Sequence, residues 1–214
     1  TPKPLIPIAG KPMVHRIVED IASTSNQPIE QIAFIIHPSF GKKAEEDLVN
    51  VAAKFGAIGK IFYQREPLGT AHAILCAEEC LQGNIFIAFA DTLFKANFTI
   101  DIHKDAIIWT QKVKDPSAFG VVRLNEEGII TEFVEKPTEF VSDQAIIGVY
   151  YFRDGDNLRK EMQYLIDTDK KTSGEYQLTE AMENMKQKGF RFYTGQVEEW
   201  LDCVNKEAML YTLE

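Results

Sequence analysis

The sequence lacks any apolar run long enough to cross a membrane. A membrane-spanning helix needs about 20 consecutive apolar residues, and no run in this 214-residue chain approaches that length. The first residues, Thr1-Pro2-Lys3-Pro4, lack the basic, apolar and small-residue regions of a signal peptide. Cysteine is scarce too, and three residues without a paired framework indicate reduced thiols. A cytoplasmic protein with no membrane partner is therefore expected.

Positive charge is also in short supply. Lysine and arginine number 23 against 32 aspartates and glutamates, so the net charge is −9 and the pI is near 5.1. Such a surface repels phosphate polyanions, which argues against a nucleic-acid partner. It does not exclude a single nucleotide, because Mg²⁺ and a few lysines can reverse the potential inside one cleft.

Motifs for covalent or dinucleotide chemistry are missing as well. The chain contains no Gly-x-Ser-x-Gly elbow, no P-loop and no Gly-rich dinucleotide fingerprint. No convincing cysteine and histidine pair is present either. These absences argue against catalysis through an activated protein nucleophile.

What is present is an alternation of short apolar runs with helical patterns. The patterns predict strands at 31–36, 60–64, 84–89, 106–112 and 145–152, a hairpin of 119–124 with 129–135, and helices at about 13–21, 42–55, 70–81, 154–166 and 177–188. Runs buried on both faces between helices indicate a parallel sheet, to which the hairpin adds antiparallel strands. The prediction is one α/β domain over residues 1–214, a three-layer α/β/α sandwich around a mixed, mostly parallel sheet. Ligands are expected beyond the carboxyl ends of its strands.

Two aspartates lie where strands end. Asp91 follows the apolar run 85–90 directly, and Asp202 lies in Trp200-Leu201-Asp202. Carboxylates are the ligands that Mg²⁺ selects, and two at strand ends could converge on one ion. The alternatives are a strand-ending turn residue for Asp91 and an N-cap of a helix starting near Asn205 for Asp202.

Two further segments have the residue types of an anion site. In the turn from Gln64 to Ala71, Gly69 permits close backbone approach and Thr70 can cap a helix whose N-terminus attracts anions. In Glu135-Lys136-Pro137, a lysine for phosphate and a glutamate for sugar hydroxyls can share one site only if the strand ends there. A plain strand–helix turn and a solvated strand end are the respective alternatives.

His72, Cys76 and Cys80 lie at four-residue steps on the predicted helix 70–81. The helix drifts by about 40° per step, and structural zinc prefers four ligands. Small buried thiols on a helix face explain the spacing better than a metal site does.

Taken together, the sequence resembles the sugar nucleotidyltransferases, the family that contains glucose-1-phosphate thymidylyltransferases and related uridylyl- and guanylyltransferases. The similarity runs from Lys3 to about Asn205. It rests on six segments whose order and spacing match the family: residues 2–13 (PKPLIPIAGKPM), 66–71 (EPLGTA), 89–91 (FAD), 119–122 (FGVV), 134–137 (VEKP) and 200–202 (WLD).

The resemblance implies a Rossmann-like fold of the nucleotide-diphospho-sugar transferase type and a Mg²⁺-dependent reaction between a nucleoside triphosphate, preferably dTTP or UTP, and a sugar 1-phosphate. It implies metal ligands at Asp91 and Asp202, nucleotide contacts from Lys3, Gln64, Gly69, Thr70 and Asp91, sugar-phosphate contacts from Gly120, Glu135, Lys136 and Ile147, and catalytic roles for Lys3 and Lys136. In-line attack on the α-phosphorus with loss of pyrophosphate needs positioning and charge neutralisation rather than a protein nucleophile.

The sequence departs from the family at three places, one of which is Val204 after Cys203, where relatives commonly have Gly. Relatives begin with a strand and a Gly-x-Gly-Thr-Arg-x-x-Pro loop before the Lys-Pro stretch, and we expect both to lie upstream of Thr1. Ile147 stands before Gly148 where relatives often carry a polar residue that faces the sugar, so the sugar stays open. The oligomeric state stays open too, a homo-oligomer included.

Two other functions are compatible with these residues. A non-catalytic relative would bind a nucleotide or sugar nucleotide and regulate a partner. A metal-dependent glycosyltransferase of similar architecture would usually carry Asp-x-Asp at the strand end, whereas Asp91-Thr92-Leu93 offers one carboxylate.

Overall fold

The structure, a computed structural model, describes residues 7–8, 11–90, 92–95, 99–197 and 199–202. Its elements in chain order are β1 (Pro7–Ile8), β2 (Lys11–Pro12), α1 (Met13–Thr24), β3 (Gln31–Ile36), a 3₁₀ helix (Pro38–Phe40), α2 (Gly41–Lys54), β4 (Ile58–Tyr63), α3 (Thr70–Leu75), a second 3₁₀ helix (Glu78–Cys80), β5 (Ile85–Ala88), β6 (Thr92–Lys95), β7 (Ala106–Lys112), β8 (Gly120–Leu124), β9 (Ile130–Glu135), β10 (Gln144–Phe152), α4 (Gly155–Asp167), α5 (Leu178–Gln187), β11 (Phe192–Gln196) and β12 (Glu199–Asp202). Among the helices so described, none has the length and apolar character needed to cross a bilayer.

The chain divides into two compact units. Unit 1 comprises Thr1–Arg65, Ala88–Ile100 and Val197–Glu214, and unit 2 comprises Glu66–Ile87 and Asp101–Gln196. Every candidate site residue except Lys3, Gln64, Asp91 and Asp202 therefore belongs to unit 2. The prediction of a single domain over residues 1–214 stays a prediction.

Unit 2 is built on a mixed sheet with the strand order β11-β7-β10-β8-β9, in which β10 also pairs with β5. The pair β11–β7 is parallel, whereas β7–β10, β10–β8 and β8–β9 are antiparallel. The β8–β9 hairpin is closed by Asn125, whose side-chain oxygen accepts from the backbone N–H of Glu127 and of Ile129, each at 2.9 Å. The predicted α/β class, with a hairpin added to a mixed sheet, is confirmed.

Helices α3, α4 and α5 of unit 2 pack against one another. Asp154 begins α4, because its carboxylate accepts from the Asn157 N–H at 2.9 Å. Helix α5 packs against α4 and β9. Its apolar stripe, which includes Met182 and Met185, is fully buried.

The described part of unit 1 contains three separate strand pairs, β1–β2, β3–β4 and β6–β12. Strands β3 and β4 are parallel, from the pair Gln31 and Ile58 to the pair Ile36 and Tyr63. One face packs with the apolar stripes of α1 and α2, in a core of Val14, Val18, Phe34, Ile36, Leu48, Val51, Ala52 and Ala57. Strands β6 and β12 are antiparallel, and their register sets Asp202 opposite Thr92.

The observed elements differ in places from those predicted. The helix predicted over 70–81 ends at Leu75, because the chain tightens into i to i−3 bonds such as Ala77 N–H to Ile74 O and Cys80 N–H to Ala77 O. Apolar spacing of three to four residues fits either kind of turn, so periodicity alone extended the helix too far. Strand β6 was not predicted, since its four residues gain a partner only from β12.

Candidate active site

Glu135 is the centre of a polar cluster in unit 2. It ends β9 and lies opposite Gly120, the first residue of β8. Its Oε2 atom accepts from the Thr179 hydroxyl at 3.0 Å. A Cβ atom at position 120 would lie 3.0 Å from that same oxygen, so the glycine leaves room for the carboxylate. Hairpin and helix together thus fix one carboxylate at a strand end.

Lys136 has an unusual backbone. Its φ is +42°, in the left-handed region that a residue with a side chain seldom adopts. Pro137 follows, and a residue before proline is also steered away from helical angles. The Lys136 N–H donates to Phe119 O at 3.1 Å, which holds the strained residue against β8. Strand β9 ends at Glu135, which is the condition under which Glu135 and Lys136 can share one site. Backbone strain of the kind seen at Lys136 is concentrated at functional sites.

The surroundings of Glu135 shift the pKa of its carboxyl group in both directions. Burial raises the pKa of its carboxyl group above the usual glutamate value and is the largest influence. The hydrogen bond from Thr179 and the charge of Lys136 act in the opposite direction, whereas the carboxylates of Glu175 and Glu180 raise the pKa further. Lys136 can bind a negatively charged group, and the partly desolvated carboxyl group of Glu135 can accept from hydroxyl groups. The pair therefore suits a polar ligand that carries both.

The loop with Gly69 and Thr70 is fastened to the start of α5. The Tyr176 N–H donates to Leu68 O at 2.8 Å, and the Ala71 N–H donates to Tyr176 O at 3.0 Å. Gly69 has a φ of +117°, and a Cβ atom there would lie 2.4 Å from the Tyr176 carbonyl oxygen. Only glycine fits this contact, for conformational and for steric reasons.

The Thr70 hydroxyl takes part in the same attachment. It accepts from the Leu178 N–H at 2.9 Å and donates to the Gln177 side-chain oxygen at 3.4 Å. Gln177, the N-cap residue of α5, makes no side-chain cap of its own. Thr70 therefore caps α5 from a segment more than a hundred residues away, as well as beginning α3.

The segment Tyr176–Thr179 is the part of the site that motif reasoning missed. Gln177 and Thr179 are 4% and 6% exposed, and they are two of the few buried polar residues in the described part of the chain. A signal for Thr179 was available, because it lies three residues before Met182 on the buried stripe of α5, where an apolar residue is expected. A polar residue at such a position needs a partner.

Ile147 lies in the interior of β10. It is 3% exposed and precedes Gly148, whose φ is +88°. The pairing of β10 with β7 is irregular between Ile146 and Tyr150, so Ile147 lies where the register of the two strands shifts.

The remaining candidates belong to unit 1. The Gln64 N–H donates to Ile36 O at 2.9 Å just beyond β4. Lys3 and Asp91 lie outside the described residues. For Asp202 the backbone is described, and its partner Thr92 is the residue that follows Asp91 in the sequence. Asp202 thus pairs with a residue 110 positions earlier in the chain.

The His72, Cys76 and Cys80 spacing does not lie on one helix. Helix α3 ends at Leu75, and Cys80 lies in the following 3₁₀ helix. The Cys76 thiol donates to the His72 carbonyl oxygen at 3.3 Å, and burial raises the pKa of that thiol. Within the described ranges, no three His, Cys, Asp or Glu side chains are grouped in a way that could hold a metal ion.

Comparisons with known proteins give one consistent result. A family model described as nucleotidyl transferase matches residues 1–212. The chain is 27% identical to the low-salt glycan biosynthesis nucleotidyltransferase Agl11 of Haloferax volcanii, over 93% of this chain and 55% of that protein. It is 28% identical to a glucose-1-phosphate thymidylyltransferase of Streptomyces antibioticus, over 97% of this chain and 58% of that protein. The chain thus spans little more than half the length of these relatives.

A solved structure agrees with the fold. The nucleoside-diphosphate-sugar pyrophosphorylase of Vibrio cholerae superposes with a TM-score of 0.82 over 100% of this chain and 91% of that one, at 16% identity. At such low identity the likeness concerns the fold alone. The predicted nucleotide-diphospho-sugar transferase type of fold is confirmed.

Proposed function

The chain belongs to the nucleotidyl transferase family, and from this premise we propose that it transfers a nucleotidyl group from a nucleoside triphosphate to a sugar 1-phosphate. An oxygen of the sugar phosphate attacks the α-phosphorus in line, the bond to the β-phosphate breaks, and pyrophosphate leaves. The observation that carries the proposal is the joining of Gly120, Glu135 and strained Lys136 at one strand end.

The sugar phosphate occupies the unit 2 cluster in this proposal. Lys136 neutralises phosphate oxygens, and its fixed backbone means that little ordering is needed when the ligand binds. Glu135 accepts hydrogen bonds from sugar hydroxyls, and Gly120 leaves the space beside it open. Ile147, on the neighbouring strand β10, adds an apolar group that influences which sugar is accepted.

The nucleotide and the metal are assigned to other residues. Lys3, Gln64, Gly69, Thr70 and Asp91 are proposed to contact the nucleoside triphosphate, with Lys3 and Lys136 in catalytic roles. Asp91 and Asp202 are proposed to hold Mg²⁺ through their carboxylate oxygens. The backbone pairing of Asp202 with Thr92, the residue that follows Asp91 in the sequence, supports this choice. A bound Mg²⁺ supplies charge neutralisation on the triphosphate.

We favour dTTP or UTP as the nucleotide. The support is the similarity to the thymidylyltransferase of Streptomyces antibioticus, which covers 97% of this chain.

Release of pyrophosphate tests the proposal directly. A panel of dTTP, UTP, GTP, CTP and ATP is crossed with glucose 1-phosphate and mannose 1-phosphate in the presence of Mg²⁺, and pyrophosphate and nucleotide sugar are measured together. We expect equimolar formation of both products from at least one pair. A Lys136→Met variant, which keeps most of the side-chain bulk but not the charge, should lose most of this turnover.

Two outcomes would overturn the assignment. Nucleotide binding without turnover across the whole panel would favour the non-catalytic alternative. Transfer of sugar from a nucleotide sugar to an acceptor, with no release of pyrophosphate, would favour a glycosyltransferase.

A further inference from the structure

One short segment contacts both groups of substrate-binding candidates in unit 2. We call residues Tyr176–Thr179 the strap. At its first residue the backbone pairs with Leu68 and Ala71, on either side of Gly69. At its last residue the Thr179 hydroxyl donates to Glu135. The proposed nucleotide loop and the proposed sugar-phosphate carboxylate are therefore joined through four consecutive residues.

The side chain that fixes the strap is Thr70. The first N–H groups of a helix have no partner within the helix, and Leu178 is the first residue of α5. Leu178 is 2% exposed, so water cannot readily replace the Thr70 hydroxyl oxygen that accepts from the Leu178 N–H. Loss of that oxygen would leave a buried donor unsatisfied, a defect that a shift of the start of α5 would relieve.

We propose that Thr70 is a positioning residue for the sugar-phosphate side of the site, in addition to its assignment to the nucleotide. By holding the start of α5, it sets the Thr179 hydroxyl on the Glu135 carboxylate, one residue beyond its own contact with Leu178. The expected effect on the KM for the sugar 1-phosphate rests on the proposed function. The structural link from Thr70 to Glu135 is independent of that function.

Two variants at one position separate the hydroxyl from the bulk. Thr70→Val keeps the shape and removes the acceptor, whereas Thr70→Ser keeps the acceptor and removes a methyl group. We expect Thr70→Val to raise the KM for the sugar 1-phosphate by about five- to tenfold, since a lost cap or buried hydrogen bond has that size. Thr70→Ser should restore a value close to that of the wild type. A rise confined to the KM of the nucleotide would overturn the proposal.

A double-mutant cycle tests the route. If Thr70 acts through Thr179, the double variant Thr70→Val with Thr179→Val should have nearly the same sugar-phosphate KM as the single variant Thr179→Val. Additive effects would show that Thr70 acts by another path and would overturn the proposal. Thr110→Val is the matched control, because Thr110 is fully buried on β7 and its hydroxyl donates to Gln144 instead. It should leave the KM unchanged.

Two readouts do not depend on turnover. The Leu178 amide should exchange with solvent at least about tenfold faster in Thr70→Val than in the wild type and in Thr70→Ser. A carboxyl NMR titration should show a higher Glu135 pKa in Thr70→Val, because the Thr179 hydrogen bond lowers that pKa. Lys136, Glu175 and Glu180, the charged groups that face Glu135, are unchanged in the variant.

These readouts separate the two failures. An inactive wild type would refute the proposed function, while exchange and titration would still decide the link. A Leu178 amide or a Glu135 pKa that does not respond to Thr70→Val would refute the link even in an active enzyme.

Discussion

The strands of the two units differ in how completely they are buried. In unit 2 the first five residues of β7 are buried, and seven of the nine residues of β10 are buried. In unit 1 two of the six residues of β3 are buried, and none of the six in β4 is. Both sets are rich in β-branched residues, so composition does not explain the contrast. Among the described strands, β7 and β10 each pair with strands on both sides, whereas β3 and β4 pair only with each other.

The same contrast separates the candidate site residues. In unit 2, Glu135 and Thr70 have partners supplied by the start of α5, so their positions depend on a far segment of the chain. In unit 1, Gln64 and Asp202 lie at strand ends, held by backbone pairing to neighbouring strands. The difference teaches that unit 2 holds its site by packing and buried hydrogen bonds, and that unit 1 positions its candidates through strand register.

The largest effect is expected at a unit 1 position. Asp202→Asn removes one of the two proposed metal carboxylates while preserving the shape of the side chain. We expect kcat for pyrophosphate release to fall by at least about a thousandfold, since this charge acts where negative charge must be neutralised. Isothermal titration with Mg²⁺ should show correspondingly weaker binding. The control Asp167→Asn changes an exposed aspartate of α4 whose side chain accepts from Gln163. An equal loss there would refute the assignment of Asp202.

Core truncations compare the two units directly. Ile108→Ala in β7 empties a site that is fully buried, and we expect the free energy of unfolding to fall by about 4 kcal/mol. Ile61→Ala in β4 removes the same atoms from a half-buried side chain packed on the unit 1 core, and about 2 kcal/mol is expected. Chemical denaturation of both variants measures the difference. Equal losses would show that partial exposure of β4 does not weaken its contribution.

Two glycines with left-handed backbones test how tightly unit 2 holds its site loop. Gly69→Ala adds both conformational strain and a contact of 2.4 Å with the Tyr176 carbonyl oxygen, so we expect a loss of about 3 kcal/mol. Gly128→Ala, in the exposed hairpin turn with a φ of +77°, meets no atom within 4 Å. The strain alone should cost about 1 kcal/mol there. Thermal unfolding measures the loss of stability in both variants, and the difference between the two losses is the steric contribution at Gly69. Equal losses would mean that the strap moves away from the added methyl group at little cost.

The sequence predicted local structure well where one pattern dominates. The runs 31–36 and 106–112 became β3 and β7 with the predicted bounds, because apolar β-branched segments between turn residues have few alternatives. The residue types of the unit 2 site were also predictable, since Gly69, Glu135 and Lys136 lie in recognisable segments at the ends of elements.

Long-range pairs were not predictable from the same patterns. The bond between Thr70 and Leu178 joins residues 108 positions apart, and that between Thr179 and Glu135 joins residues 44 apart. Local periodicity carries no information about which distant segments meet. The strap was therefore missed, although it leads into a helix whose existence was predicted.

The smallest expected effect concerns the pH dependence of stability. The charged form of Glu135, which the proposed function uses to bind the sugar, is the form that destabilises the fold. Because burial raises the pKa of Glu135, the folded protein keeps this proton at pH values where the unfolded chain has lost it. The contribution of Glu135 to stability is therefore full below the ordinary glutamate pKa and is lost as the pH rises through the raised value. Glu135→Gln mimics the neutral form and escapes this loss.

The melting temperature of Glu135→Gln should exceed that of the wild type by an increasing margin as the pH rises through this window. The KM for the sugar 1-phosphate should rise at the same time, because the variant lacks the charged acceptor. Glu126→Gln, in the exposed hairpin turn, controls for the loss of one negative charge. A margin that shrinks with rising pH would mean that Thr179 and Lys136 lower the pKa of Glu135 by more than burial raises it. The unit 2 site would then stabilise the charged form of this carboxylate rather than the neutral form.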